Sequence, residues 1–110
     1  MTIRFRQWNC EIRRMYYGNN RTAIRLVDAN DGSPTATASV NITGHSKSEW
    51  KTLAEFCGCT PDQLVFIKDY SENEGMLDAL VSQGIVKDTG HRHHTGHVEV
   101  PLCILDEKYL

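Results

Sequence analysis

The chain has no long apolar run. Nowhere in its 110 residues does a stretch approach the roughly 18 consecutive apolar side chains of a membrane-crossing helix. The opening Met1-Thr2-Ile3-Arg4-Phe5-Arg6 alternates basic and apolar residues and lacks the apolar centre of a secretory signal, so the expected compartment is the cytoplasm. Neither sign of charge dominates: 12 Lys and Arg stand against 14 Asp and Glu, a formal net charge of -2. Broad nucleic-acid binding needs a basic face that displaces counterions, and this balance argues against it, although a local patch escapes the average. No phosphate-cradling glycine loop is present, no Ser-His-Asp or Cys-His arrangement stands out, and no repeat interrupts the chain. These absences leave no catalytic motif and imply no cofactor.

With 40% hydrophobic and 24% charged residues, neither disorder nor a fibrous repeat fits, and residues 1–110 are expected to pack as a single domain. The four cysteines, Cys10, Cys57, Cys59 and Cys103, are expected to stay reduced in a cytoplasmic chain. Cys10 and Cys103 fall within alternating apolar patterns, where a thiol behaves as a small hydrophobe.

Periodicity sets the architecture. Trp8, Cys10 and Ile12 alternate with polar residues, and Ile3 and Phe5 are out of phase with them, which predicts a bulge or bend near Arg6 and Gln7. Gly18-Asn19-Asn20 and Asn30-Asp31-Gly32 are turn sequences around a run with Ile24 and Leu26. A cleaner alternation follows, with Ala36, Ala38, Val40 and Ile42 on one side. The period then becomes helical. Ser46-Lys47-Ser48-Glu49 has capping-box spacing ahead of Trp50, Leu53, Ala54 and Cys57, with Gly58 as the stop. Pro61 opens a short turn and Leu64-Val65-Phe66-Ile67 reads as a buried strand. Ser71-Glu72-Asn73-Glu74 has the same capping spacing before Met76, Leu77, Leu80 and Val81, with Gly84 and Ile85 closing that helix. A polar stretch from Lys87 to Gly96 precedes a last strand with Val98, Val100, Leu102 and Ile104, in which Pro101 predicts an edge position or an irregularity. The order is β-β-β-α-β-α-β. The predicted fold is α+β, an antiparallel sheet of four to five strands covered on one face by two helices, with Val40, Ile42, Leu77, Leu80, Val100 and Leu102 in the core.

Four features bear on chemistry. His91, His93, His94 and His97 crowd one segment and are candidate zinc, nickel or copper ligands, but Cys57-x-Cys59 lacks the two-residue gap of a zinc knuckle. A solvated loop rich in histidine is the preferred reading of them, and no metal is expected. Residues 53–65 resemble a helix-turn-helix in spacing, yet the second helix would open on Pro61-Asp62-Gln63, and Asp62 repels phosphate. Asp69, Glu72, Glu74 and Asp78 form an acidic stretch that suits a helix start and also suits a basic partner. Arg13, Arg14, Tyr16, Tyr17, Arg21 and Arg25 gather around the first hairpin, where aromatic and basic residues together can stack on single-stranded nucleic acid or simply pack across strands.

The block Ile67-Lys68-Asp69-Tyr70-Ser71-Glu72-Asn73-Glu74-Gly75-Met76, with Ala79-Leu80-Val81 and Val98-Glu99-Val100-Pro101-Leu102, resembles a family of small bacterial, phage and plasmid proteins known as a domain of unknown function. Residues 45–63 and the histidine run depart from that pattern. The resemblance brings no catalytic residues. It implies a mobile-element setting, in which small proteins bind and block host machines, as anti-CRISPR inhibitors do. The expectation is therefore a non-catalytic protein-binding accessory or inhibitor acting on a host protein or nucleoprotein complex through the acidic residues Asp69, Glu72, Glu74 and Asp78. The alternatives are a nucleic-acid-binding regulator and a metal-binding protein.

Overall fold

A computed structural model describes residues 2–109. The chain first lays down an antiparallel sheet of four strands in sequential order, β1 (Thr2–Phe5), β2 (Trp8–Tyr16), β3 (Thr22–Asp28) and β4 (Pro34–Thr37). Arg6 and Gln7 form a two-residue hairpin turn rather than a bulge, with Phe5 opposite Trp8 and Arg6 at a φ of 55°. That turn is what reverses the phase between Ile3 and Cys10, which end as cross-strand neighbours facing the same core.

The clean alternation from Thr35 to Ile42 does not remain in one strand. It divides at Ala38, whose N–H donates to the Ile24 carbonyl of the first sheet (2.9 Å) while its own carbonyl accepts from Lys68 N–H of the second (2.9 Å). Beyond it β5 (Ser39–Val40) joins a second antiparallel sheet with β6 (Leu64–Ile67), β7 (Val86–Thr95) and β8 (Val98–Leu105), in the order β5-β6-β8-β7. The α+β class, the antiparallel pairing and the two helices are as predicted, but the strands are shared between two sheets instead of one. The reason lies in β6 and β8, which carry apolar residues on both faces. Val65, Ile67, Cys103 and Leu105 point into a core shared with the first sheet, while Leu64, Phe66, Val100 and Leu102 point away from it into another. A sheet apolar on both sides needs two covers.

The first cover is the opening sheet together with α2 (Met76–Ser82); the second is α1 (Lys47–Cys57). At α1 the capping box forms as predicted: Glu49 N–H donates to Ser46 Oγ and Ser46 N–H donates to Glu49 Oε1, both at 3.2 Å. At α2 it does not. Ser71 adopts a φ of 54° in a 3₁₀ turn, Ser71–Asn73, and the helix begins only after Gly75. Buried Asn73 dictates this, because its side-chain amide donates to the Thr37 carbonyl at 2.6 Å and so holds the turn against β4. Asp69 Oδ1 then accepts from Gly75 N–H and Leu77 N–H and caps α2 from outside the helix.

The predicted core residues Ile42, Leu80, Val100 and Leu102 are buried, while Val40 and Leu77 sit partly buried at its margins. Lys87 to Gly96, read as a polar stretch, is mostly strand β7. Pro101 lies in β8, an interior strand, and the irregularity falls next to it, opposite Leu102. Between Asp88 and Arg92 the β7 register slips, with Gly90 at a φ of 86°. Pro101 has no N–H to give, so the edge strand bows away there and the Thr89 hydroxyl donates to the Leu102 carbonyl instead. No helix among the described residues is long and apolar enough to cross a membrane.

Candidate functional site

A single helix of about 10 Å diameter cannot cover a sheet whose four strands stand about 4.8 Å apart. α1 therefore leaves a gutter along each flank, and both gutters are cavities.

On the flank toward β7 the lining is apolar. Leu53, Phe56 and Cys57 of α1 face Leu102 and Ile104 across a cavity of about 240 Å³, with Lys87, Asp88 and His91 at its rim. Phe56 is 91% exposed. It lies off the stripe of Trp50, Leu53, Ala54 and Cys57 that seats the helix, so nothing in the fold requires an aromatic ring there. An aromatic residue off the apolar stripe of an amphipathic helix is a legible signal, and the periodicity reading passed over it.

On the opposite flank the lining is basic and aromatic. Lys47, Trp50 and Lys51 of α1 face Arg21 from the β2–β3 turn and Asp62 from the 3₁₀ turn Pro61–Gln63, around a cavity of about 530 Å³. The Arg21 guanidinium stacks over the Trp50 ring at 3.8 Å from its centroid and donates through Nη2 to the Pro61 carbonyl at 2.5 Å. Burial lowers the Arg21 pKa, with Asp62 opposing that shift.

Between the gutters lies a ring cluster. His45 sits 5.4 Å from Trp50, 6.3 Å from Phe66 and 5.6 Å from His93, centroid to centroid, and His93 packs 5.5 Å from Phe66. Burial first, then the neighbouring His45, His91 and His94, lowers the His93 pKa. The histidine run is thus spread out by its strand: His91 lines the apolar cavity, His93 packs inward, His94 Nε2 meets Glu99 at 3.1 Å, and His97 is exposed in the β7–β8 turn. Among the described residues no group of three or more His, Cys, Asp or Glu side chains is placed to hold a metal ion.

The other sequence candidates separate. Asp69 is engaged as the α2 cap and Glu72 pairs with Lys68, while Glu74 and Asp78 are exposed. Arg13 and Arg25 are direct cross-strand neighbours on the outer face of the first sheet, Arg13 held by Glu11 at 2.6 Å. Arg14 stacks on Tyr16, and the Tyr17 hydroxyl shares a hydrogen bond with Ser39 at 2.8 Å. Of that group Arg21 lines the basic cavity. The helix-turn-helix reading of residues 53–65 is corrected: after α1 comes one 3₁₀ turn and then β6, because Leu64 and Val65 are needed in a strand whose two faces meet different cores. Comparison with family models, with curated proteins and with solved structures finds no match for this chain.

Proposed function

We propose that the chain is a non-catalytic protein-binding module whose contact surface is centred on Phe56 and the apolar cavity beside it. The observation that carries this reading is the 91% exposure of Phe56 at the lip of that cavity. Burying such a ring against a partner is worth about 1.5–3 kcal/mol, and aromatic anchors beside a pocket dominate protein interfaces. The cavity, at about 240 Å³, falls below the roughly 300–1,000 Å³ of small-ligand sites and suits one inserted apolar side chain. A rim of Lys87, Asp88 and His91 supplies polar edges of both signs.

A binding rather than catalytic role also accords with the thiols. Burial raises the pKa of Cys10 and Cys59 and pushes Cys103 up to about 12, the direction opposite to an activated nucleophile. In the mobile-element setting that the family resemblance implies, the partner is a host protein or nucleoprotein complex and the module an inhibitor or accessory factor. The exposed side chains of Glu72, Glu74 and Asp78, with Glu72 shared with Lys68, are the second candidate contact for the same role.

The test compares proteins captured from a host lysate by the wild type, by Phe56→Ser and by Glu72→Gln with Asp78→Asn. A stoichiometric partner kept by the charge variant and lost from Phe56→Ser is the expected result. A partner kept by Phe56→Ser and lost from the charge variant transfers the role to the acidic surface.

A further inference from the structure

The basic gutter holds two buried polar atoms without partners. Arg21 Nε and His45 Nδ1 are both buried, neither makes a hydrogen bond, and both residues line the same cavity. The Arg21 Nε carries a proton at any ordinary pH, and a buried N–H without an acceptor costs about 1–3 kcal/mol, so the guanidinium beside this cavity lacks part of its acceptor set. Three cations, Arg21, Lys47 and Lys51, meet one carboxylate, Asp62, in the lining, whereas the whole chain carries -2. The charge of this gutter is therefore opposite to that of the molecule around it.

The geometry points to a phosphate-binding site in the cavity between the β2–β3 turn and the first turns of α1, with the guanidinium of Arg21 as its fixed donor and Lys47 and Lys51 as mobile charges. Stacking on Trp50 and the hydrogen bond to Pro61 hold the guanidinium plane in place before any ligand arrives, which removes the ordering cost that a free arginine would meet on binding. A tetrahedral oxyanion offers several acceptors at once, to the guanidinium and to the lysine ammonium groups, in the manner in which Arg recognises phosphate. At about 530 Å³ the space takes a whole nucleotide as readily as one phosphate of a single strand passing over it. The ligand chemistry is a nucleotide phosphate, free or within a strand. Asp62 is the opposing charge, and it sets an upper limit on affinity. This site lies on the other flank of α1 from Phe56 and does not depend on the role proposed there.

The test is a titration of the isotope-labelled chain with inorganic phosphate, with AMP and with a short oligothymidylate, each at about 50 mM salt so that screening does not hide the contact. The signals of the Arg21 Nε–H and the Trp50 indole N–H report it. A saturable shift of both is expected, and Asp62→Asn should tighten binding several-fold. Lys47→Gln with Lys51→Gln should weaken it about tenfold or more and flatten its salt dependence. Both lysines are exposed, so this variant keeps the fold even if replacements of Arg21 do not. Tighter binding of the oligonucleotide than of AMP identifies a strand as the source, and the reverse order identifies a free phosphate monoester. No saturable shift with any of the three probes, or an affinity unchanged in the lysine variant, overturns the inference.

Discussion

The two faces of the second sheet are built differently. Toward the first sheet the core is aliphatic and closed: Ile24, Leu26, Ile67, Leu80 and Leu105 have no exposed surface. Toward α1 the core is smaller, aromatic and edged by polar rings, with Trp50 and Phe66 at its centre and His45 and His93 against them. Both gutters open on this second face. A whole sheet with a helix beside it can seal a core, while one helix lying on a sheet leaves margins, and margins are where side chains without structural duty can be kept. The closed face thus maintains the fold, and the open face carries the chemistry proposed for it.

The largest effect that separates the two faces is expected from Leu80→Ala. Leu80 is fully buried in the closed core, and its truncation should cost about 2–5 kcal/mol in a denaturant melt. Leu53→Ala on the open face removes a half-buried side chain and should cost only about 1–2 kcal/mol. Equal losses would break the comparison.

Acid should act on the open face. The His93 pKa is lowered by burial and by its histidine neighbours, so the unfolded chain takes up a proton at a higher pH than the folded one. The stabilisation due to neutral His93 is complete above its ordinary value near 6.5 and declines as the pH falls below it. Thermal melts at pH 7.5 and pH 5 should differ, and His93→Phe should narrow that difference. An undiminished difference in the variant assigns the acid response elsewhere.

The bulge in β7 should contribute less. Arg92 grips both carboxylate oxygens of Asp88, at 2.7 and 2.8 Å, which holds the Asp88 pKa below its ordinary value. Its contribution is therefore present above about pH 4 and lost as the pH falls further. The pair is partly exposed, so Asp88→Asn should cost only about 0.2–1 kcal/mol at neutral pH. A larger cost would mean that the bulge organises the open face as a whole. The smallest change in stability, within about 0.5 kcal/mol, is expected from Phe56→Ala, whose ring touches water on nearly all sides. A loss well beyond that would make Phe56 a structural residue and weaken its assignment as an anchor.

Much of the open face was within reach of sequence reasoning, though not its meaning. The capping box at Ser46 and the stop at Gly58 place α1 to the residue, since both are local hydrogen-bonding decisions. Arg21 was singled out among the hairpin residues, but as part of a sheet surface. Its stack on Trp50 joins residues 29 positions apart and carries no local trace. His45 has no sequence signature beside the crowded histidines of β7, although it is the imidazole that meets His93.

Alternation and capping are short-range physics, so the sequence by itself determined the strands with clear apolar alternation, the buried character of β6, and where α1 begins and ends. Tertiary structure decided the partners. The chain changes sheets at Ala38 because both sheets claim that residue's backbone. The Ser71 capping spacing goes unused because Asn73 is drawn to Thr37, 36 residues away. The histidine run extends rather than looping because β8 offers an edge to pair with. Each outcome is a contest between a local preference of about 1 kcal/mol and long-range contacts that together outweigh it.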